Sequence, residues 1–484
     1  MSIPQQRLRA AGLGILLWSL WLAWWGHVGH PLNVDVPETM HLGQWILHHG
    51  RFPKQLRWVW GHQGPWRAVG WEVGSALLFA GTVQVAGVGG LIALWAGVLT
   101  VTLGLSASAI GALGRAPRWY VLGLGGAAIS LYAPIWAAMW MLPGAAFVLW
   151  DASHLVQRQG RDRWTHRALY AGVLIGWAWL SPSVLWAIPV LVGLGVLWPL
   201  QKGPRPWKSL GVRLAFVGLA VATLPDPASW MAAVWRYVSG AVQPAVLWPS
   251  VTAQLRPWPL GALPEWLAAG GMIGILYGLW RGRRVPLWWG GLLAGPALLI
   301  WHALYYTPLA LWALTTGLAS QSGRDLSSAS GFHAPRLWVA GLALTVAVGG
   351  SAWGSASLTW AASYPEFAWY QQVTKHLPTG HVWVPLTQGG VFTLATERPA
   401  WLDNRMQVWD ANRRAYNRDA ARATGQLPVK AWLVTHHVVA VLWPINPALD
   451  TRLQQAGWQV TGHGPGSYQC WQPINQGGGA HGPC

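Results

Sequence analysis

Apolar stretches long enough to cross a bilayer, about 20 residues each, recur from residue 11 to residue 360, with breaks of Gly, Pro and clustered Arg between them. They fall near 11–29, 88–113, 119–133, 134–150, 168–181, 183–200, 209–224, 266–280, 286–303, 305–320 and 338–360, which predicts about 11 spans. The first follows Arg7 and Arg9 as a signal peptide would. No small-residue cleavage site is evident before Asn33, so it reads as a retained span. Beyond residue 360 the apolar runs shorten and charge rises. Pro365 to Leu377 reads as helix, His381 to Leu386 as strand, and Pro399 to Leu402 and Val438 to Trp443 as further strands. A helix over Ala448–Ala456 ends at Gly457, and Trp458 to Thr461 returns as strand. The pattern predicts an α-helical polytopic membrane domain, 1–360, and a small C-terminal α/β domain, 361–484, with a loose low-complexity end, GGGAHGPC.

Basic residues orient this layout. Arg7, Arg9, Arg115, Arg118, Arg158, Arg161, Arg163, Arg167, Lys202, Arg205, Lys208, Arg213, Arg281, Arg283, Arg284, Arg324 and Arg336 fall on one side. Arg51, Lys54, Arg57, Arg67, Arg236 and Arg256 fall on the other. The split is 17 against 6, so the positive-inside rule makes the first side cytoplasmic. With an odd number of spans the C-terminal domain is then extracytoplasmic, in a multi-pass protein of the cell membrane. The outer face carries 30–87, with two helices lying at the interface, the Trp- and Pro-rich segment 225–265, and the tail.

Composition agrees. Of 484 residues, 53% are hydrophobic and 10% charged, where a soluble domain carries about 25% charge. Disorder is excluded by the abundance of aromatics. The net charge of +18 would suggest nucleic acid in a soluble chain, but no basic stripe interleaves with an aromatic platform here. Cys470 and Cys484 are the two cysteines, too few for a zinc site, and they read equally as a disulfide or as free thiols. The 41 tryptophans exceed what interfacial belts need. Packing is the plain account, and stacking of sugar rings on exposed indoles the other.

The chain has only 14 acidic residues. Six lie in the tail, and Asp151, Asp162 and Asp325 lie with the cytoplasmic Arg clusters as loop charges. Asp35, Glu38, Glu72, Asp226 and Glu265 remain on the outer face. Asp35 and Glu38 open the first outer segment, Asp35-Val-Pro-Glu38-Thr-Met-His41. Structurally they fit a capping box, with Pro37 in the first turn and Gly50 closing the helix. Functionally, two acids three residues apart at the membrane boundary, with His41 on a neighbouring face toward substrate, suit a general base or a divalent cation site for Mg or Mn. Glu72 is a third candidate, or an acid favoured by a helix N-terminus. His48 and His49 sit on the same interfacial helix without further acids. His436 and His437, read as neighbours on a strand, point to opposite faces and make no metal pair.

Several stretches resemble a known family. Asp35…His41-Leu42-Gly43…Trp45-Ile46-Leu47…Gly50…Pro53, then Gly64-Pro65-Trp66 and Trp71-Glu72, is similar to the first outer loop of bacterial GT-C-type membrane glycosyltransferases. It resembles above all their large branch with an Asp-x-x-x-x-Trp-His-Leu-x-x-Gly-like opening. In the tail, Gln388-Gly389-Gly390 looks like that branch's Asn-x-Gly-Gly element and Trp401-Leu402-Asp403-Asn404-Arg405 like its Phe-Ile-Asp-Gly-Arg element, while Trp443 with Leu453…Gly457-Trp458 looks like the closing strand–helix–strand. The resemblance implies a transferase that takes sugar from a polyprenyl-phosphate-linked donor on the extracytoplasmic side. It implies Asp35 as general base on the acceptor hydroxyl, with Glu38 its neighbour. Departures accompany it. Trp179-Leu180-Ser181-Pro182 stands where the branch carries Asn and His, Leu247-Trp248 where it has Glu-Trp, and Tyr305 or Tyr306 where an Arg is expected. Arg236 and Arg256 are then the outer-loop candidates for the donor phosphate, or else interfacial anchors. The competing readings are a catalytically silent lipid-binding relative acting in envelope assembly, which the departures favour, and a transporter of lipid-linked substrate, which would call for inverted repeats.

Overall fold

The computed structural model describes residues 32, 35–53, 72–112, 119–132, 137–157, 164–188, 191, 207–238, 311–312, 315–316, 359–401 and 421–474. Arg256, Glu265, Leu247-Trp248, Tyr305-Tyr306 and the expected spans 11–29, 266–280, 286–303 and nearly all of 338–360 lie outside them. Two compact units divide the chain. One comprises Met1–His30, Val85–Pro225 and Arg256–Ser357, the other Pro31–Gln84, Asp226–Leu255 and Leu358–Cys484. The second thus combines three separate stretches of the sequence, whereas the expected domains divide the chain once, at residue 360.

Helix α2 (Val73–Ala112), which passes from the second unit into the first at Val85, is, among the described residues, the one helix long and apolar enough to span a membrane. The expected span began at residue 88. The helix instead starts at Val73 and breaks at Gly87, whose φ of 65° is left-handed, a conformation glycine adopts without a Cβ penalty. Apolar periodicity also yields α3 (Trp119–Tyr132), α4 (Met141–Gln157), α5 (Trp164–Leu180) and α6 (Trp207–Ala222). Thr100, Thr102, Ser106 and Ser153 donate to carbonyls one turn earlier, each within 2.9 Å, which satisfies hydroxyls in apolar surroundings. Trp312 Nε1 donates to Ser106 Oγ at 2.7 Å. The leading tryptophans of α5 and α6 are instead exposed, Trp164 at 77% and Trp207 at 52%. Each adjoins basic residues, Arg167 and Lys208, as interfacial anchors do.

One expectation is corrected here. Asp151 is not a loop charge, nor is Arg213 a cytoplasmic surface charge. Both are buried on α4 and α6 as an ion pair, with Arg213 Nη2 donating to Asp151 Oδ1 at 2.9 Å and Nη1 to the Ser209 carbonyl at 3.2 Å. The guanidinium lies 5.2 Å from the Tyr170 ring centroid on α5. Charge patterning alone assigns every Arg near a span end to solvent, whereas Arg213 stands inside α6 and is buried there.

In the second unit, α1 (Asp35–His49) is one of the two helices expected in 30–87; the other described helix there is the opening of α2. The segment 225–265 begins not as a loop but as α7 (Pro227–Val238), capped by Asp226, whose Oδ1 accepts the Ser229 N–H at 3.1 Å. That makes Asp226 a capping residue.

The tail contains α8 (Glu366–His376), β1 (His381–Trp383), α9 (Gly389–Thr396), α10 (Lys430–Thr435), β2 (Val438–Pro444), α11 (Pro447–Gln455), β3 (Trp458–His463) and β4 (Tyr468–Pro473). The sheet order is β1-β2-β4-β3, with β1 parallel to β2 and β4 antiparallel to both of its neighbours. β2 is almost continuously apolar because both its faces are covered. Asn446 caps α11 by accepting the Leu449 N–H at 3.3 Å. The strand expected at Pro399–Leu402 amounts to an isolated bridge at Ala400, and the β1 segment turns into a 3-10 turn at Leu386–Gln388 that leads into α9. β4, central in the sheet, was not expected from the sequence.

Tryptophan packs this core. Trp383 lies 4.8 Å from both Trp432 and Trp443, and Trp401 lies 4.9 Å from Trp432, centroid to centroid. His436 joins them, 5.1 Å from Trp401 and 5.3 Å from Trp432, and burial with the nearby Arg422 charge lowers its pKa. His436 and His437 occupy the turn before β2, with His437 left-handed at φ 50°, so strand alternation is not what separates them. Cys470, in β4, is disulfide-bonded; the chain's other cysteine is Cys484.

Candidate active site

α1 begins at Asp35 itself, one residue earlier than a capping box with Asp35 at the cap requires. Both acids therefore stand inside the first turn, where the helix dipole favours them. The face carrying Val36, Glu38, Thr39, Met40, Leu42 and Gly43 is buried. What it packs on is dictated by Gly43, since a Cβ there would collide with the Ala76 carbonyl and the Ala80 side chain of α2. Glu72 precedes α2, where its carbonyl accepts the Ala76 N–H at 2.9 Å. It stands one turn ahead of this crossing and serves as a helix-start residue. Gly43→Val is expected to force α1 from α2 and lower the unfolding free energy by about 1–3 kcal/mol, the usual cost of overpacking. Thermal denaturation in detergent would measure this, and an unchanged midpoint would refute the crossing.

The tail covers the other side of that first turn. Glu38 is 2% exposed, and Gly390 at the start of α9 lies directly on it. A Cβ on Gly390 would overlap the Glu38 Cγ and come within 2.9 Å of its Cδ and 3.0 Å of Oε1. Two stretches whose likeness to one family was noted separately, the Asp35 opening and Gln388-Gly389-Gly390, are thus in contact across 350 residues of chain.

Tyr364 is the third member. It is buried between the end of a helical turn (Trp360–Ser363) and α8, its ring 6.1 Å from Trp360. Burial, with the charges of Asp35 and then Glu38 adding, holds its phenol well above the ordinary range, so it remains a neutral O–H donor beside two carboxylates. Nothing in the sequence singled it out beyond its position just past the last expected span. Further along, the Gln388 side chain hydrogen-bonds Tyr468, and Tyr370 meets Tyr468 edge-to-face at 6.5 Å and Phe392 at 5.4 Å. Burial raises the Glu366 carboxyl and the Tyr370 and Tyr468 phenols alike. These rings seat the turn that presents Gly390.

The structure therefore brings Asp35, Glu38, Tyr364 and Gly390 together. His41 is half-buried one turn beyond Glu38. Arg236 lies on α7, with its side chain outside the described residues, as are residues 402–405. His49 is exposed, stacked on Trp45 at 4.1 Å with its Nδ1 on the Trp45 carbonyl at 2.8 Å. Trp179 and Ser181, at positions where the resembling branch carries polar residues, are engaged internally. Trp179 Nε1 donates to Thr223 Oγ1 at 3.1 Å, and Ser181 Oγ accepts the Ser183 N–H at 3.3 Å.

No protein-family model matches the chain, and no curated protein matches it in sequence. Among solved structures, it superposes on the arabinofuranosyltransferase AftD from Mycobacteria with a TM-score of 0.51 at 13% identity, covering 99% of this chain and 40% of that one. It superposes on the archaeal oligosaccharyltransferase AglB from Archaeoglobus fulgidus, solved with an inhibitory peptide and a dolichol-phosphate, with a TM-score of 0.50 at 11% identity, covering 91% and 69%. The chain has the fold of the GT-C membrane glycosyltransferases. It spans well under half the length of AftD. A third GT-C structure, ArnT from Cupriavidus metallidurans bound to undecaprenyl phosphate, aligns over 98% of this chain and 99% of its own at a TM-score of 0.47 and 11% identity.

Among the described residues no group of three or more His, Cys, Asp or Glu side chains is placed to hold a metal ion. A cation held by two carboxylates suits Mg where substrate phosphates complete the shell. With Glu38 buried against Gly390, Asp35 is the one of the two expected ligands left to it among the described residues, and a single carboxylate does not fit that arrangement.

Proposed function

We propose that the protein is a membrane glycosyltransferase that moves a sugar from a polyprenyl-phosphate-linked donor to an acceptor hydroxyl on the extracytoplasmic side. One observation carries the reading: in a chain with a GT-C fold, the acidic first turn of α1 is roofed by the tail at Gly390 and Tyr364. The AglB structure contains dolichol-phosphate, a carrier lipid of the class proposed for this chain. The disulfide at Cys470 supports an extracytoplasmic tail, because disulfides persist on the oxidising side.

In the proposed reaction Asp35 takes the proton of the acceptor hydroxyl as its oxygen attacks the anomeric carbon. The bond from that carbon to the phosphate oxygen breaks, its electron pair leaves with the polyprenyl phosphate, and the proton ends on Asp35. Tyr364 holds its O–H beside the carboxylates, His41 and the outer-loop Arg236 and Arg256 contact substrate, and Glu72 stays a helix-start acid.

The test is transfer from a panel of polyprenyl-phosphate sugars by the full chain in nanodiscs, followed by mass spectrometry of the acceptor. Transfer with at least one donor is expected. No transfer alongside retained binding of the lipid phosphate would favour a catalytically silent lipid-binding relative, a reading that draws on the internal engagement of Trp179 and Ser181.

A further inference from the structure

Glu38 is the more buried of the two acids in the first turn of α1, yet burial of a carboxylate is costly unless something compensates its charge. What lies against it is the start of α9, an eight-residue helix. Its cap residue, Gln388, makes no side-chain hydrogen bond to the helix, turning instead to Tyr468. The first-turn N–H groups of a helix and its positive dipole end attract an anion, and the Glu38 side chain lies against Gly390 in that turn. Gly390 is what permits the approach, since any Cβ would stand in the volume of Glu38 Cγ.

We propose that Glu38 is a positioning residue: its carboxylate serves as the anionic cap of α9 and, through Gly390, latches the tail onto the helix that bears Asp35. The latch joins the two ends of the chain within one compact unit. Its consequence for catalysis rests on the function proposed above, in which Asp35 is the base while Glu38 fixes the roof over it. The pairing of a small turn with a buried acid also accounts for why Gly389-Gly390 and Asp35…Glu38 occur in one chain.

The experiment is a substitution cycle in the full chain in nanodiscs, with hydrogen exchange of the peptide covering 389–396 as the first readout. Gly390→Ala is expected to speed exchange there at least tenfold. Combined with Glu38→Asp, which keeps the charge and vacates the space, the same alanine is expected to bring exchange back to within about threefold of the parent. Glu38→Gln, which keeps the shape and loses the charge, is expected to speed exchange of the first α9 turn at least threefold. Transfer should fall with Gly390→Ala and recover in the double variant, largely through KM if the latch shapes the acceptor side. Equal exchange in Gly390→Ala and the double variant, or no response to Glu38→Gln, would overturn the latch. A parent chain that transfers nothing would count against the glycosyltransferase reading while the exchange cycle still decides the latch.

Discussion

Asp35→Asn should lower sugar transfer by about 10²–10⁴-fold, which corresponds to about 2.7–5.5 kcal/mol of transition-state stabilisation. The substitution keeps the side-chain shape and leaves the first turn of α1 able to form, because Asn is tolerated at helix starts nearly as well as Asp. Losing the favourable interaction with the helix dipole costs about 0.3–1 kcal/mol, which affects stability rather than the chemical step. The two effects therefore separate by magnitude. A drop in rate of a hundredfold or more, in protein that elutes and melts like the parent, assigns Asp35 to the chemistry. A variant within threefold of the parent would remove Asp35 as base and turn attention to Glu72, which stands at the start of α2. Because Glu38 is buried beneath Gly390, it is not positioned to substitute for Asp35, so residual activity should not depend on it.

Much of this arrangement was legible in the sequence. Hydrophobic length and the alternating patterns beyond residue 360 predict a helix-rich chain with a small C-terminal α/β part, and the described residues have both. The Asp35 opening and Gln388-Gly389-Gly390 were visible as local patterns. Their contact was not, because nothing local encodes a pairing across 350 residues. Tyr364 escaped for a related reason: a Tyr after an apolar run reads as an interfacial anchor, and only the surrounding carboxylates give it another meaning. β4 escaped because its neighbours, Gly464-Pro465-Gly466, dominate the reading as a loop. Asp151 was misplaced because charge patterning counts residues by their distance from span ends and cannot tell a solvated carboxylate from one turned inward toward α6.

That inward pair sets the second large expectation. Arg213→Met should destabilise the protein by about 3–5 kcal/mol, the cost of leaving a buried charge without its partner. The geometry places this pair at the upper end, since both side chains are nearly inaccessible and the guanidinium holds Asp151 through two nitrogens while also reaching the Ser209 carbonyl and covering the Tyr170 ring. The same reasoning makes the pair itself a poor source of net stability, because desolvating two ions offsets most of their attraction. The double variant Asp151→Leu/Arg213→Met should therefore recover most of the loss. Thermal unfolding in one detergent, compared across the two single variants and the double, measures the coupling directly. A double variant as unstable as the sum of the singles would mean that the residues act through separate partners. A single Arg213→Met with an unchanged midpoint would mean that Asp151 is solvated after all, as charge patterning along the chain first suggested. Recovery in the double variant would identify the ion pair as a register lock between α4 and α6, since it would specify how the helices meet without adding to how strongly they do.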